Sequence, residues 1–125
     1  MKIADLYIRA RCDDPARQKL MEQLQEKELE EYCIANNIKI RAKVIDNCFA
    51  GNFDRPGWSE YYDRLVSSTV WPDLILFTTW DRFTRNLEKF LIVKSNLDRM
   101  QITVKTIKTN ILLEAAIRTW GSMEL

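Results

Sequence analysis

Apolar positions change period several times along the chain, and each change marks an element. Ile3-Ala4-Asp5-Leu6-Tyr7-Ile8-Arg9 is short, β-prone and partly alternating, which predicts a first strand. Asp13-Asp14-Pro15 reads as a helix start, with an aspartate cap and a proline whose fixed φ suits the first helical position. From there to about Asn36 the chain is rich in Gln, Glu, Lys and Leu. Leu20, Leu24, Glu28 and Tyr32 fall at i, i+4 spacing, which predicts a long surface helix ended by Asn36-Asn37. Ile38 to Ile45 alternates apolar and basic residues, the pattern of a strand with one solvated face near a sheet edge. Asp46 to Gly57 is a loop with Gly51, Pro56 and Gly57. Trp58 to about Ser68 is helical, with Trp58, Tyr61, Tyr62 and Leu65 on one side. Asp73-Leu74-Ile75-Leu76-Phe77-Thr78 is almost continuously apolar, as expected of a central parallel strand buried on both faces. After the polar segment Thr79 to Asn86, a helix from Leu87 to about Met100 carries Phe90, Leu91, Val93 and Leu97. Ile102 to Ile107 is the last strand. Asn110 is expected to cap a final short helix, Ile111 to Trp120, ended by Gly121.

Strands and helices therefore alternate. The pattern predicts one α/β domain over residues 1–125, with three layers and a mostly parallel sheet of four to five strands covered by helices on both faces. Trp58, Tyr61, Tyr62, Trp71 and Phe77 are expected in the core or at its margin.

Composition narrows the chemistry. The 125 residues are 46% hydrophobic, which suffices for a core, and no apolar run approaches the ~18 residues of a membrane span. An acidic residue at Asp5 comes too early for a signal peptide, so a cytoplasmic location is expected. The three cysteines Cys12, Cys33 and Cys48 are widely spaced and are expected as thiols. There is no histidine, which removes histidine acid–base chemistry. With no C-x-x-C pair either, no metal site is expected. No cofactor is implied.

The net charge of +1 does not advertise nucleic-acid binding. Its distribution is uneven: residues 1–31 carry 6 basic and 8 acidic side chains, residues 82–125 carry 8 and 4. In alternating folds functional groups gather at the carboxyl ends of the strands. Those ends hold Arg9 and Arg11, then Asp46 and Arg55, then Asp81, Arg82 and Arg85. Guanidinium groups stay charged and donate in a planar fork that suits phosphate oxygens. Five arginines there point to an anion site, with Asp46 and Asp81 as counter-charges in the empty state. The same spacing also fits arginines that merely face solvent or form ion pairs.

Four segments resemble the serine recombinase (resolvase/invertase) family. Tyr7-Ile8-Arg9 is similar to its opening Tyr-x-Arg-x-Ser strand. Gln25 with Glu31-Tyr32-Cys33 resembles its first helix. Asp46 through Gly51, then Asp54-Arg55-Pro56-Gly57, resembles its Asp-x-x-x-Ser-Gly and Asp-Arg-Pro-Gly loop. Asp81-Arg82-Phe83-Thr84-Arg85-Asn86 resembles its Asp-Arg-x-x-Arg-Asn motif. The resemblance covers about residues 3–108. It implies a resolvase-like fold and DNA recombination through a phosphoserine link to DNA. It also implies that Arg9, Arg82 and Arg85 bind the scissile phosphate, that Arg55 supports them and that Asp81 orients them.

The departures from that pattern bear on activity. The nucleophile position holds Arg11, and the loop serine is replaced by Ala50. A guanidinium offers no usable lone pair to phosphorus. Cys12 should point to the opposite face of the strand from residue 11. The resemblance leads us to expect at most a short remnant of the family's long dimerisation helix in 110–125, and no separate DNA-binding domain is expected. The expected partner is DNA, through its phosphate backbone, with a homodimer or an assembly with an intact recombinase as further expectations. Three readings stand: a cleavage-deficient recombinase domain from a mobile element, an active one using an unexpected nucleophile, and a non-enzymatic α/β module that binds another anion or a protein.

Overall fold

A computed structural model describes residues 1–10, 14–46, 56–79 and 87–108. The order is β1 (Lys2–Arg9), α1 (Pro15–Ala35), β2 (Ile38–Asp46), α2 (Pro56–Ser67), β3 (Leu74–Phe77), α3 (Leu87–Arg99) and β4 (Thr103–Thr106). The four strands are parallel and lie in the order β2-β1-β3-β4. The apolar run of β3 is buried at every position and sits inside the sheet, while alternating β2 forms an edge. Both placements agree with their patterns.

Alternation along β1 divides the core. Ala4, Leu6 and Ile8 pack with Leu74 and Leu76 under Leu29 and Cys33 of α1. On the other face Tyr7, Val44, Ile75, Phe77 and Val104 meet Trp58, Tyr61 and Leu65 of α2 and Leu91 and Leu97 of α3. Helices therefore cover both faces, giving the expected three layers. A fully buried side chain such as Leu76 or Phe77 contributes about 1.5–3 kcal/mol relative to leaving it exposed.

Helix α1 starts as its sequence predicts. Pro15 is its first residue, and the Asp14 carboxylate accepts from the Ala16 N–H at 3.0 Å. Its buried stripe differs from the leucine spacing: Gln25, Leu29 and Cys33 face the sheet, and Leu20 and Leu24 are exposed. The helix ends at Asn36, and Asn37 adopts φ 55°, a left-handed conformation that asparagine tolerates. Trp71 also departs from expectation. It lies exposed outside the core, its indole N–H donating to the Leu65 carbonyl at 2.8 Å.

One buried charge shapes the β1–β2 pair. Ala4 lies opposite Ile40 but Asp5 lies opposite Ala42, so Arg41 is the extra residue of a bulge. The bulge turns Arg41 out of the basic alternation and onto Asp5. Its Nε donates to Oδ1 at 3.0 Å and its Nη2 to Oδ2 at 2.6 Å. The Tyr61 hydroxyl donates to the same Oδ2 at 2.6 Å, and Arg41 Nη1 donates to the Val70 carbonyl. Hydrogen bonding to Asp5, partly offset by burial, raises the Arg41 pKa above its ordinary value. Burial first, then the bond to Asp5, pushes the Tyr61 phenol well above its usual range.

Candidate functional site

The carboxyl ends of the strands collect buried polar residues: Arg9 ends β1, Asp46 ends β2, Thr78 comes directly after β3 and Thr106 ends β4. Arg9 is 5% exposed. Its backbone is held from α1, where the Gln25 side chain donates to the Arg9 carbonyl at 2.8 Å and accepts from the Arg9 N–H at 3.3 Å. The β1–β3 ladder ends at Leu6, so the glutamine amide takes the place of a missing strand neighbour at Arg9. In the sequence Gln25 stands only as part of a motif, without a role. A glutamine on the apolar stripe of a helix is the signal that could have found one, because a buried amide must be satisfied.

Asp46 pairs with Arg9 in the β1–β2 register, and its carbonyl accepts from the Ala10 N–H at 3.1 Å. Its carboxylate accepts from the first turn of α2: Gly57 N–H donates to Oδ1 and Trp58 N–H to Oδ2, each at 2.8 Å. The Tyr7 hydroxyl donates to Oδ2 at 3.1 Å, and the Tyr7 ring meets Trp58 edge-on with centroids 5.5 Å apart. Asp46 is thus a helix cap supplied from a strand, ten residues before α2 begins. It satisfies orphan N–H groups and complements the positive end of the helix. The sequence pattern suggests a counter-charge for arginines at Asp46 and leaves Pro56 and Gly57 in the loop. The carboxylate instead draws both into the first turn of α2.

That cap explains Gly57. A Cβ there would meet Asp46 Oδ1 at 2.7 Å and the Ile45 carbonyl at 2.9 Å. No glycine among the described residues has positive φ, so Gly57 serves close approach rather than backbone freedom. Gly57→Ala should force the carboxylate off the helix and cost about 2–4 kcal/mol in urea unfolding. Ser59→Ala, at an exposed position of the same helix, should cost almost nothing. Equal effects of the two substitutions would refute the close-approach account.

Of the six candidate residues, Arg9 is described. Arg11, Arg55, Asp81, Arg82 and Arg85 lie outside the described residues, as do Ala50 and the final helix at 111–120. The described residues on either side of the three candidate segments are Ala10 before Arg11, Asp46 and Pro56 around Arg55, and Thr79 and Leu87 around Asp81 to Arg85. Ala10 and Gly57 both bond to Asp46, so two of the three segments begin or end beside one residue. Near them a cleft of about 350 Å³ is lined by Met21, Leu24, Gln25, Glu28, Thr78 and Lys108.

Among curated proteins none matches the sequence. Solved structures do match the fold. The N-terminal catalytic domain of TP901-1 integrase superposes with a TM-score of 0.76 at 16% identity, over 98% of this chain and 96% of that one. A resolvase family site-specific recombinase from Streptococcus pneumoniae gives 0.74 at 14% identity, over 99% and 88%. The C-terminal catalytic domain of ISC1926 TnpA, an IS607-like serine recombinase, gives 0.73 at 22% identity, over 97% and 82%. The sequence itself matches the family described as resolvase, N terminal domain, across residues 5–119, and with that match covering most of its length the chain belongs to the resolvase family.

Proposed function

We propose that this domain binds a DNA phosphodiester in the manner of a serine recombinase but does not cut it. The observation that carries the reading is Arg9, buried at the carboxyl edge with its backbone clamped by Gln25 and next to a capped Asp46. Arg11 is one residue beyond Ala10, and Arg55 is one residue before Pro56. Consecutive Cα atoms are ~3.8 Å apart, so covalent reach favours their meeting near Arg9. Asp81, Arg82 and Arg85 come after β3 from the same edge in sequence order. Arg9, Arg82 and Arg85 hold the phosphate, Arg55 supports them and Asp81 orients them. Fixed donors around a phosphate would stabilise charge without a metal or cofactor. Arg11 adds a cation where the family keeps its serine, so the phosphate is gripped with nothing to attack it.

On this reading the protein is a cytoplasmic, mobile-element recombinase derivative. Its partners are DNA and either a second copy or an intact recombinase. On the same reading the segment 110–125 is a truncated remnant of the family's long dimerisation helix. The near-neutral net charge favours a second reading, a module that binds another anion or a protein surface.

Fluorescence anisotropy on duplex DNA separates the two. Affinity should fall as salt rises, since neutralised phosphates release counterions. Arg82→Ala and Arg85→Ala should each weaken binding about tenfold or more and flatten the log–log salt slope by about one. Binding that ignores both substitutions would leave the second reading standing.

A further inference from the structure

The face of helix α1 turned away from the sheet carries a heptad stripe. Leu20, Leu24, Lys27, Glu31 and Ile34 follow one another in alternate steps of four and three residues. At ~3.6 residues per turn that spacing keeps all five close to one line, opposite the buried stripe of Gln25, Leu29 and Cys33. All five are exposed, Leu24 at 51%, Leu20 at 54% and Ile34 at 81%. Scattered exposed leucines need no explanation. A stripe in heptad register along a helix of 21 residues does, because that period lets two helices lie along each other.

The two charges in the stripe decide what lies against it. Lys43 takes up Glu26 and Glu30 of the same helix, and Lys108 takes up Glu28. Among the described residues, Lys27 and Glu31 have no ion-pair partner in their own chain. A second α1 laid parallel and in register would set lysine against lysine at 27 and glutamate against glutamate at 31. Laid antiparallel about a two-fold axis, it sets Leu24 against the partner's Ile34 and Lys27 against the partner's Glu31. The symmetry repeats both pairings, so four successive layers are complementary. Antiparallel helices also oppose their macrodipoles. The lysine and glutamate stems can cover the apolar layers while their charged ends stay in water.

We propose that two copies of this chain associate through an antiparallel α1–α1 pair, in which Leu24 packs on the partner's Ile34 and Lys27 pairs with the partner's Glu31. Leu20 continues the contact over the end of the partner's helix. The contact is small, so association is reversible rather than obligate. It does not depend on DNA binding, and its test uses none.

The test is sedimentation equilibrium on the full chain over about a hundredfold range of concentration. The wild-type mass should rise from one copy toward two. Lys27→Glu should weaken association about tenfold or more, because two attractive layers become repulsive. Lys27→Glu/Glu31→Lys restores opposite charges across the pair and should return association to within about threefold of wild type. Ile34→Lys probes the apolar layer independently and should also weaken it. Arg99→Glu, the same charge change at an exposed position of α3, should leave it unchanged. A wild-type chain that stays a single copy throughout would overturn the proposal. So would a dimer indifferent to Lys27→Glu, the behaviour of a parallel pair in which one like-charge layer merely replaces another. A dimer weakened by Lys27→Glu and not recovered by the double variant would overturn it as well.

Discussion

Arg41→Met should destabilise the domain by about 2–4 kcal/mol, which corresponds to roughly 10 °C in Tm for a chain of this size. Asp5 is 1% exposed in the middle of the sheet, and its carboxylate accepts two hydrogen bonds from Arg41 and one from Tyr61. Removing the guanidinium would leave a buried carboxylate facing Tyr61. Stranding one member of a buried ion pair typically costs about 3–5 kcal/mol. The Arg41 side chain is 34% exposed, so water screens part of the pair and lowers the expectation. Asp5→Leu/Arg41→Met/Tyr61→Phe separates this from loss of packing. Replacing every polar partner by an apolar group of similar shape removes the stranded charge and should recover most of the loss. Chemical denaturation of the single and triple variants is the measurement. A triple variant no more stable than Arg41→Met would mean that the bulge geometry, rather than the charge, holds β1 and β2 together.

That network shows where the sequence was silent. Arg41 reads as one of three basic residues on a solvated face of an edge strand, and Lys39 and Lys43 fit that reading as exposed residues. Nothing in an alternating pattern marks the single residue at which a bulge breaks the alternation. The edge position of β2 and the burial of β3 were legible because period-2 alternation and unbroken apolarity report burial directly. The buried face of α1 was not. Its stripe contains Gln25, so a search for leucine spacing selects Leu20 and Leu24, which the fold leaves uncovered. The Asp46 cap was hidden for another reason: a cap is normally sought immediately before its helix, and this one is ten residues away in sequence. Gly57, which reads as a loop glycine, is the trace it leaves. At the candidate site the motifs supplied candidates, and the fold supplied the reason that Arg9 and Asp46 sit together. Arg11, Arg55, Asp81, Arg82 and Arg85 lie outside the described residues and rest on resemblance and chain reach.

On the proposed function, Arg11→Ser should turn DNA binding without reaction into formation of a covalent adduct. A hydroxyl placed two residues after Arg9, beyond a backbone held by Gln25 and the Asp46 carbonyl, would stand where the resolvase family keeps its nucleophile. In-line attack by that oxygen on phosphorus would form a phosphoserine bond and release a DNA hydroxyl. Arg9, Arg82 and Arg85 would stabilise the developing charge. Positioning and preorganised charge account for most of the rate in phosphoryl transfer, and both would already be in place. The change is all-or-none in kind, because arginine cannot attack and serine can. The assay is a denaturing gel after incubation with supercoiled plasmid carrying the DNA that flanks the gene. Wild type and Arg11→Ala should give no retarded band, and Arg11→Ser should give one that nuclease trims and denaturant does not remove. A band from the wild-type chain would show that another residue attacks and that this enzyme was never silenced. No band from Arg11→Ser, with DNA affinity intact, would move the defect beyond the nucleophile. The next variant, Arg11→Ser/Ala50→Ser, would then restore the loop hydroxyl as well.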